Sequence, residues 1–286
     1  MHNQSPDLID LHVHSSCSDG TCTPEQVVQL AVAAGLKAIA LTDHDTAAGV
    51  ERACAAARET GSGLLVIPGI ELSAQWQNQE IHILGLNLDP THPDLLSYQE
   101  EFLREREERN RRMAEKITAV GCSITVEEVK QRFPGAILGR PHYARVMMEK
   151  GFVKSIQAAF NGYLGDRGPC FVSRRRIAAT DALKLILSCG GHPVLAHPLQ
   201  YGFSRDRLES FVDYLKNNGL QGMECLYSAY NASESAKLTD MARRHGLFIT
   251  GGTDFHGENK PDIALGRGIK GNLAVPFSLL KEAGIC

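Results

Sequence analysis

The sequence predicts an α/β protein, a barrel-like domain of alternating strands and helices interrupted by a helical insertion. Three observations lead there. Strand and helix patterns alternate over roughly the first ninety residues and again after Thr180. The strands are short, nearly continuous apolar runs, which suit a parallel sheet covered on both faces. Between about 92 and 165 no clear strand pattern occurs and the chain reads as helices.

The elements follow in order. The run "LIDLHVH" is the first strand, and Thr23-Pro24-Glu25-Gln26 opens a helix with an N-cap, a proline at the first helical position and a capping-box glutamine. That helix stops at Gly35, and "AIALT" is the next strand. An Ala-rich helix over about 47–59 closes at Gly61, followed by the strands "LLVIPGIEL" and "IHILGLN". The charge-dense "EEFLREREERNRRMAEK" is a solvated helix with i,i+4 ion pairs. After the insertion, three helices lead into "HPVLAHP", "GMECLYS" and "LFITGGTDFHG". The expected division is a barrel of residues 1–91 and 166–286, with a helical insertion over 92–165 that caps the substrate.

At 286 residues with 43% hydrophobic content, the chain can bury a large core. A net charge of −3 gives no general reason to hold duplex nucleic acid. The eight cysteines form no C-x-x-C pair, which argues against a thiolate zinc site and suits a reducing compartment. No signal-peptide pattern and no apolar run of about 20 residues is present, so the expectation is a cytoplasmic protein without a membrane partner.

The residues with chemistry gather at strand ends. "DLHVHSSCSDG" carries His12, His14 and Asp19, and alternation along a strand sends both imidazoles to one face. "TDHD" carries His44 between Asp43 and Asp45, "GIE" carries Glu71, and "IHILG" begins with His82 nearby. "AHP" supplies His197, and "TDFH" supplies Asp254 and His256. Carboxyl ends of strands are where α/β barrels place their catalytic groups. Repeated at strand after strand, the pattern points to a metal site. Six imidazoles and three carboxylates without thiolate suit Mn, Zn or Fe better than Ca or Mg alone. Two or three divalent ions among only three carboxylates leave a cationic pocket, which wants an anionic substrate such as a phosphate monoester. Asp10, Asp43 and Asp45 either orient metal-bound histidines, shuttle protons, or cap helices and turns. His2, His92 and His245 read as structural or exposed, and His192 precedes its strand, at the wrong end of the barrel.

These motifs, running in order from Asp10 to His256, resemble the PHP (polymerase and histidinol phosphatase) family of the amidohydrolase superfamily. The resemblance implies a distorted seven-stranded (β/α) barrel and two or three divalent ions. By it, His12, His14, Glu71 and Asp254 hold one ion. Glu71 bridges to a second, with His82 and His197, and Asp19, His44 and His256 hold a third. Many members carry His where this chain has Asp19. Asp19, Glu71 and His197 are the residues expected to act in the reaction, and Mn is the expected metal, with Zn or Fe as alternatives.

Substrate choice falls to the insertion and loops. "GRPHYARVM" offers Arg140 and His142, "FVSRRR" offers Arg174, Arg175 and Arg176, and Asp45 is a further candidate for substrate contact. Arginine suits a second phosphate because its planar fork binds two oxygens. The insertion is similar to that of PHP phosphatases acting on nucleoside 3′,5′-bisphosphates, which leave the 5′-monophosphate. Histidinol phosphatase and an exonuclease acting on short oligonucleotides are the alternatives within the family, and amide or lactone hydrolysis the alternative beyond it. The arginine-bearing helix (Arg104, Arg106, Arg109, Arg111, Arg112) carries as many acids as bases, which argues against long polymers.

Overall fold

The computed structural model describes residues 7–133, 138–165, 167–173 and 176–285. Two compact units emerge, Met1–Leu96 with Arg176–Cys286, and Ser97–Arg175.

The first unit is a nearly closed sheet. Its main strands are β1 (Leu8–Val13), β2 (Ala38–Leu41), β3 (Leu65–Trp76), β4 (Gln79–Leu86), β5 (His192–Leu195), β6 (Gly222–Tyr227) and β7 (Phe248–Gly252), paired in that order. Closure comes from a parallel bridge between Val13 and Phe255, with His14 N donating to Phe255 O at 3.0 Å and Asp254 N to His12 O at 2.8 Å. β2 shows why the strands read as solid apolar runs. Ala38 and Ala40 pack with Ile67, Leu84, Leu86 and Val194 from neighbouring strands. Ile39 and Leu41 pack instead with Val27, Val28 and Ala31 of α1 (Pro24–Ala33) and with Ala53 and Ala57 of α2 (Val50–Thr60). Both faces are covered, so no polar alternation survives. The capping box of α1 forms as its sequence predicts, with Thr23 and Gln26 satisfying each other's backbone.

One expectation is corrected. The sheet is not uniformly parallel, because β4 runs antiparallel to both β3 and β5. A two-residue turn at Gln77–Asn78, with Gln77 at φ 54°, makes β3 and β4 a hairpin. An apolar strand has the same composition whichever way it runs, so its sequence gives no direction. The reversal matters for chemistry: it pairs His82 with Ser73 and brings the start of β4 to the carboxyl end of β3.

The second unit is helical, with the greater part of α3 (Pro93–Ala119), then α4 (Val126–Arg132), α5 (Arg140–Glu149) and α6 (Ile156–Ala159). Its own core includes Ile117, Val129, Tyr143, Met147 and Leu164, together with Cys170 and Val172. Those last two carry the unit to Arg175, past the boundary expected at 165. Back in the first unit, α7 (Ala179–Ser188), α8 (Arg205–Asn217) and α9 (Ala232–Arg244) alternate with β5, β6 and β7. Among the described residues, no helix is long and apolar enough to cross a membrane.

Candidate metal centre

All nine predicted ligands converge in the first unit. His12 lies near the end of β1, His14 directly follows it, and Asp19 lies on the loop beyond. His44 follows β2 and is bridged to Glu71 within β3. His82 comes from the reversed β4, His197 follows β5, and Asp254 and His256 follow β7. Three groups could each hold an ion: His14 with Asp19, His44 and His256; His12 with His14 and Glu71; and His44 with Glu71 and His82. Glu71 belongs to two of them. His197 Nε2 stands 3.1 Å from Glu71 Oε1, and Asp254 Oδ1 stands 3.4 Å from His14 Nε2 and 3.7 Å from His12 Nε2.

The donor set fits divalent metals on one observation above all. Buried His12 Nε2, both ring nitrogens of His14, His44 Nδ1, His197 Nδ1 and Glu71 Oε2 have no hydrogen-bond partner among the described residues. So many unpaired buried polar atoms around one point are too costly to keep without a ligand. The electrostatics agree. Burial works against ionised Glu71, yet His44, His82 and His12 hold its carboxyl well below the usual range. Burial likewise opposes protonation of His14, but Asp254 and Glu71 push its pKa up to about 9, and burial together with His14 and His82 takes His44 down to about 4. Despite partial burial, the imidazoles of His256, His44 and His14 hold Asp19 well below its ordinary value.

The backbone at the site is held in conformations that few side chains adopt. Asp45, His197 and Asp254 lie at φ 56°, 28° and 58°. Each is fixed through its amide: Asp45 N donates to Glu71 O, His197 N to Glu224 Oε2 and Asp254 N to His12 O, all within 2.9 Å.

That second contact exposes a residue that motif reasoning missed. Glu224, mid-strand in β6 and fully buried, accepts from His12 Nδ1 at 3.0 Å with its other oxygen. With Nδ1 donating, the Nε2 lone pair faces Glu71 and Asp254, where a metal would sit. The available signal was an acid inside an otherwise apolar strand, "GMECLY". Tyr227 and Lys260 are two further residues of this kind. The Tyr227 hydroxyl and Lys260 Nζ donate to Asp254 Oδ2 at 2.7 and 2.6 Å, leaving Oδ1 toward the histidines.

The acids flanking the histidines have other tasks. Asp10 accepts from Thr253 N, Thr253 Oγ1 and Gly266 N, tying β1 to the segments after β7, and Asp43 accepts from Ser15 and Ser18 in the Asp19 loop. Among the described residues, neither Asp10 nor Asp43 hydrogen-bonds an imidazole. Asp45, expected at the substrate, is 1% exposed, and its Oδ1 accepts from Ser73 N at 2.9 Å, so it fixes β3 from beneath. Arg140 and His142 belong to the helical unit. Arg140 donates to Leu164 O and lies over the Phe160 and Phe171 rings, and His142 Nδ1 accepts from Gly139 N at the start of α5. Arg174 and Arg175 lie outside the described residues. Arg176 lies in the first unit, where it pairs with Glu80, whose other oxygen is 3.7 Å from His82 Nε2. The exposed side of the cluster is formed by Asp19, His44 and His82, at 55%, 23% and 22%, against 0–1% for His12, His14 and Glu71.

Comparison with known proteins places this chain in a family. Residues 10–167 match the PHP domain. The chain is 34% identical over 260 residues to the 5′-3′ exoribonuclease Rnm of Escherichia coli, covering 91% of this chain and 88% of that protein. It is 34% identical over 265 residues to the 3′,5′-nucleoside bisphosphate phosphatase of Chromobacterium violaceum, covering 89% and 90%. A solved structure of an amidohydrolase from Chromobacterium violaceum superposes with a TM-score of 0.79 at 31% identity, covering 97% of this chain and 96% of that one. With its fold, its converging histidines and carboxylates, and this similarity along almost its whole length, the chain belongs to the PHP family of metal-dependent phosphoesterases.

Proposed function

We propose that the protein hydrolyses the 3′-phosphate of nucleoside 3′,5′-bisphosphates, giving the nucleoside 5′-monophosphate and phosphate. The observation that carries this is the nine-residue cluster itself, whose unpaired buried atoms call for cations and whose most exposed members are Asp19, His44 and His82. The relative named as a bisphosphate phosphatase supports the substrate. Divalent ions, Mn first with Zn or Fe as alternatives, would supply Lewis-acid stabilisation of the phosphoryl oxygens and an activated water at neutral pH.

The protein's own residues do the rest. Glu71 is shared by two of the candidate groups, with Oε1 facing His12, His82 and His197 and Oε2 facing His14 and His44. Glu224 and the Asp254 O carbonyl hold His12 and His256 by Nδ1, keeping both Nε2 atoms turned inward. Asp19, on the exposed side with His44, meets the incoming ester. Arg176, beside His82 through Glu80, is the cation of the barrel that we assign to the 5′-phosphate. Its Nε is buried without a hydrogen-bond partner among the described residues. The seven free cysteines of the described residues support a reducing, cytoplasmic location.

A second reading rests on the equal similarity to an exoribonuclease. In a 5′-phosphorylated RNA, the bond between the first nucleotide's 3′-oxygen and phosphorus is the bond cut in the bisphosphate. Only what rides on the phosphorus differs. Short 5′-phosphorylated RNAs are therefore the second substrate class.

The test is phosphate release by Mn-loaded protein from adenosine 3′,5′-bisphosphate, adenosine 3′-monophosphate and histidinol phosphate, alongside cleavage of short RNAs with and without a 5′-phosphate. The bisphosphate should be preferred to the monophosphate. A charge-assisted contact is worth about 1.5–3 kcal/mol, so Arg176→Ala should lose roughly ten- to a hundredfold in kcat/KM on the bisphosphate and little on the monophosphate. Indifference of the wild-type protein to the 5′-phosphate would reject the substrate while leaving the phosphoesterase standing.

A further inference from the structure

Asp19 differs from every other member of the cluster. It is 55% exposed and sits on a loop, whereas Glu71 is part of a strand and 1% exposed. Its carboxylate nevertheless points inward, with Oδ1 3.1 Å from His256 Nε2 and Oδ2 3.9 Å from His44 Nε2. Two sets of contacts hold the loop. On its inner side, Ser15 O accepts from Ser18 N and Gly20 N, while Asp43 accepts from Ser15 and Ser18. On its outer side stands the short turn after β7, Gly257–Asn259, continued by Lys260.

That turn touches both ends of the site. Asn259 Nδ2 donates to the backbone carbonyl of Asp19 at 2.7 Å. Glu258 N donates to Thr21 Oγ1 at 2.9 Å, and Thr21 N donates to His256 O at 3.1 Å. Lys260, one residue on, donates to Asp254 Oδ2 at 2.6 Å. Gly257 makes the approach possible: it lies at φ 63°, and a Cβ there would run into Thr21 Oγ1. Four consecutive residues thus connect the Asp19 loop to the two ligands that directly follow β7, Asp254 and His256.

We propose that the Gly257–Lys260 turn is a strap that sets the position held by Asp19, His44 and His256, with Asn259 as the positioning residue for Asp19. The inference rests on the metal-centre reading above and adds a determinant of how strongly its outermost ion is held. The effect is entropic. Glu71 is fixed by its strand, so it brings little freedom to lose on binding. The Asp19 loop has to be held before its carboxylate can ligate, and Asn259 holds the peptide that carries it.

The experiment is equilibrium dialysis of the full chain against graded free Mn2+, with metal content read by elemental analysis. Wild type should bind three ions, the last more weakly than the first two. One hydrogen bond to a backbone carbonyl corresponds to a loss of roughly three- to tenfold in affinity for that last ion in Asn259→Ala, with the first two unmoved. Asn259→Asp sets a carboxylate against the Asp19 carbonyl and should lose at least as much. Asp262→Ala, an exposed change just beyond the turn, should load as wild type, and thermal melting of each variant checks that it folds. Asn259→Ala loading three ions with wild-type affinity, or losing all three alike, would overturn the strap. A wild-type chain that never binds a third ion removes the position the strap is meant to set, yet leaves the two-ion phosphoesterase intact. A wild-type chain binding no ion at all would end the strap together with the metal-centre reading beneath it.

Discussion

Glu71 faces five imidazole nitrogens between 2.9 and 3.4 Å, from His82, His197, His44, His14 and His12. Removing it would take a ligand from two of the candidate groups and leave the divalent ions they would hold without the carboxylate they share. Glu71→Ala should therefore be the most damaging single change, costing at least about a hundredfold in turnover and more than one bound ion. Near wild-type turnover in Glu71→Ala, with activity abolished in Asp19→Ala, would show that the bridging role was misplaced. Glu224 tests a different idea, since it touches no metal position and acts through His12 and the His197 amide. Glu224→Gln keeps the size and one acceptor but loses the charge opposite His12. Metal affinity should fall about ten- to a hundredfold while the melting temperature of the metal-free protein moves little. If affinity stayed constant and only the melting temperature fell, Glu224 would be a packing residue. Asp254 and Glu71 were legible as candidate ligands because each belongs to a short motif with a histidine or follows an apolar run. Glu224 was not, because its partners lie on β1 and after β5, and only the folded barrel brings them together.

The strands explain why the ligands meet. β7 approaches β1 so closely that a Cβ on Gly252 would overlap the His12 backbone and Cβ. Asp254 and His256 are two and four residues further on, so the width of this contact fixes their distance from His12 and His14. Gly252→Ala should cost roughly 1–3 kcal/mol from overpacking and should weaken metal binding together with stability. A variant of wild-type stability and metal content would show that closure is slack there. The hairpin of β3 and β4 was the element least legible in the sequence. Periodicity marks a strand without its direction, and the turn residues Gln77–Asn78 are a weak hairpin signal beside Asn-Gly. The remaining elements were legible because their caps and stops are local: Thr23 with Gln26, and Gly61 in the left-handed conformation closing α2. The later boundary of the helical unit was hidden for the opposite reason. Cys170 and Val172 join that core through contacts with residues far back in the chain, which no local pattern announces.

At the scale of the molecule, a cluster of bases and acids held together without cations has to be neutralised by protons. Burial opposes charge on His82, but Glu71 and Glu80 push its pKa up to about 10, and Asp254 and Glu71 push that of His14 up to about 9. At neutral pH these imidazoles are protonated in the metal-free chain and must become neutral to ligate. Loading should therefore release protons, and apparent affinity should rise as pH rises through neutrality. Calorimetry in two buffers of different ionisation enthalpy measures this directly, and equal heats in both would contradict the protonation described here. If these nine residues hold the cations that cleave a phosphate ester, the deciding measurement is phosphate release from adenosine 3′,5′-bisphosphate by protein stripped of metal and then reloaded with Mn2+. The stripped protein should be inactive and loading should restore turnover in step with the number of ions bound. Full turnover by the stripped protein, or none after three ions are bound, would contradict that role for the nine residues.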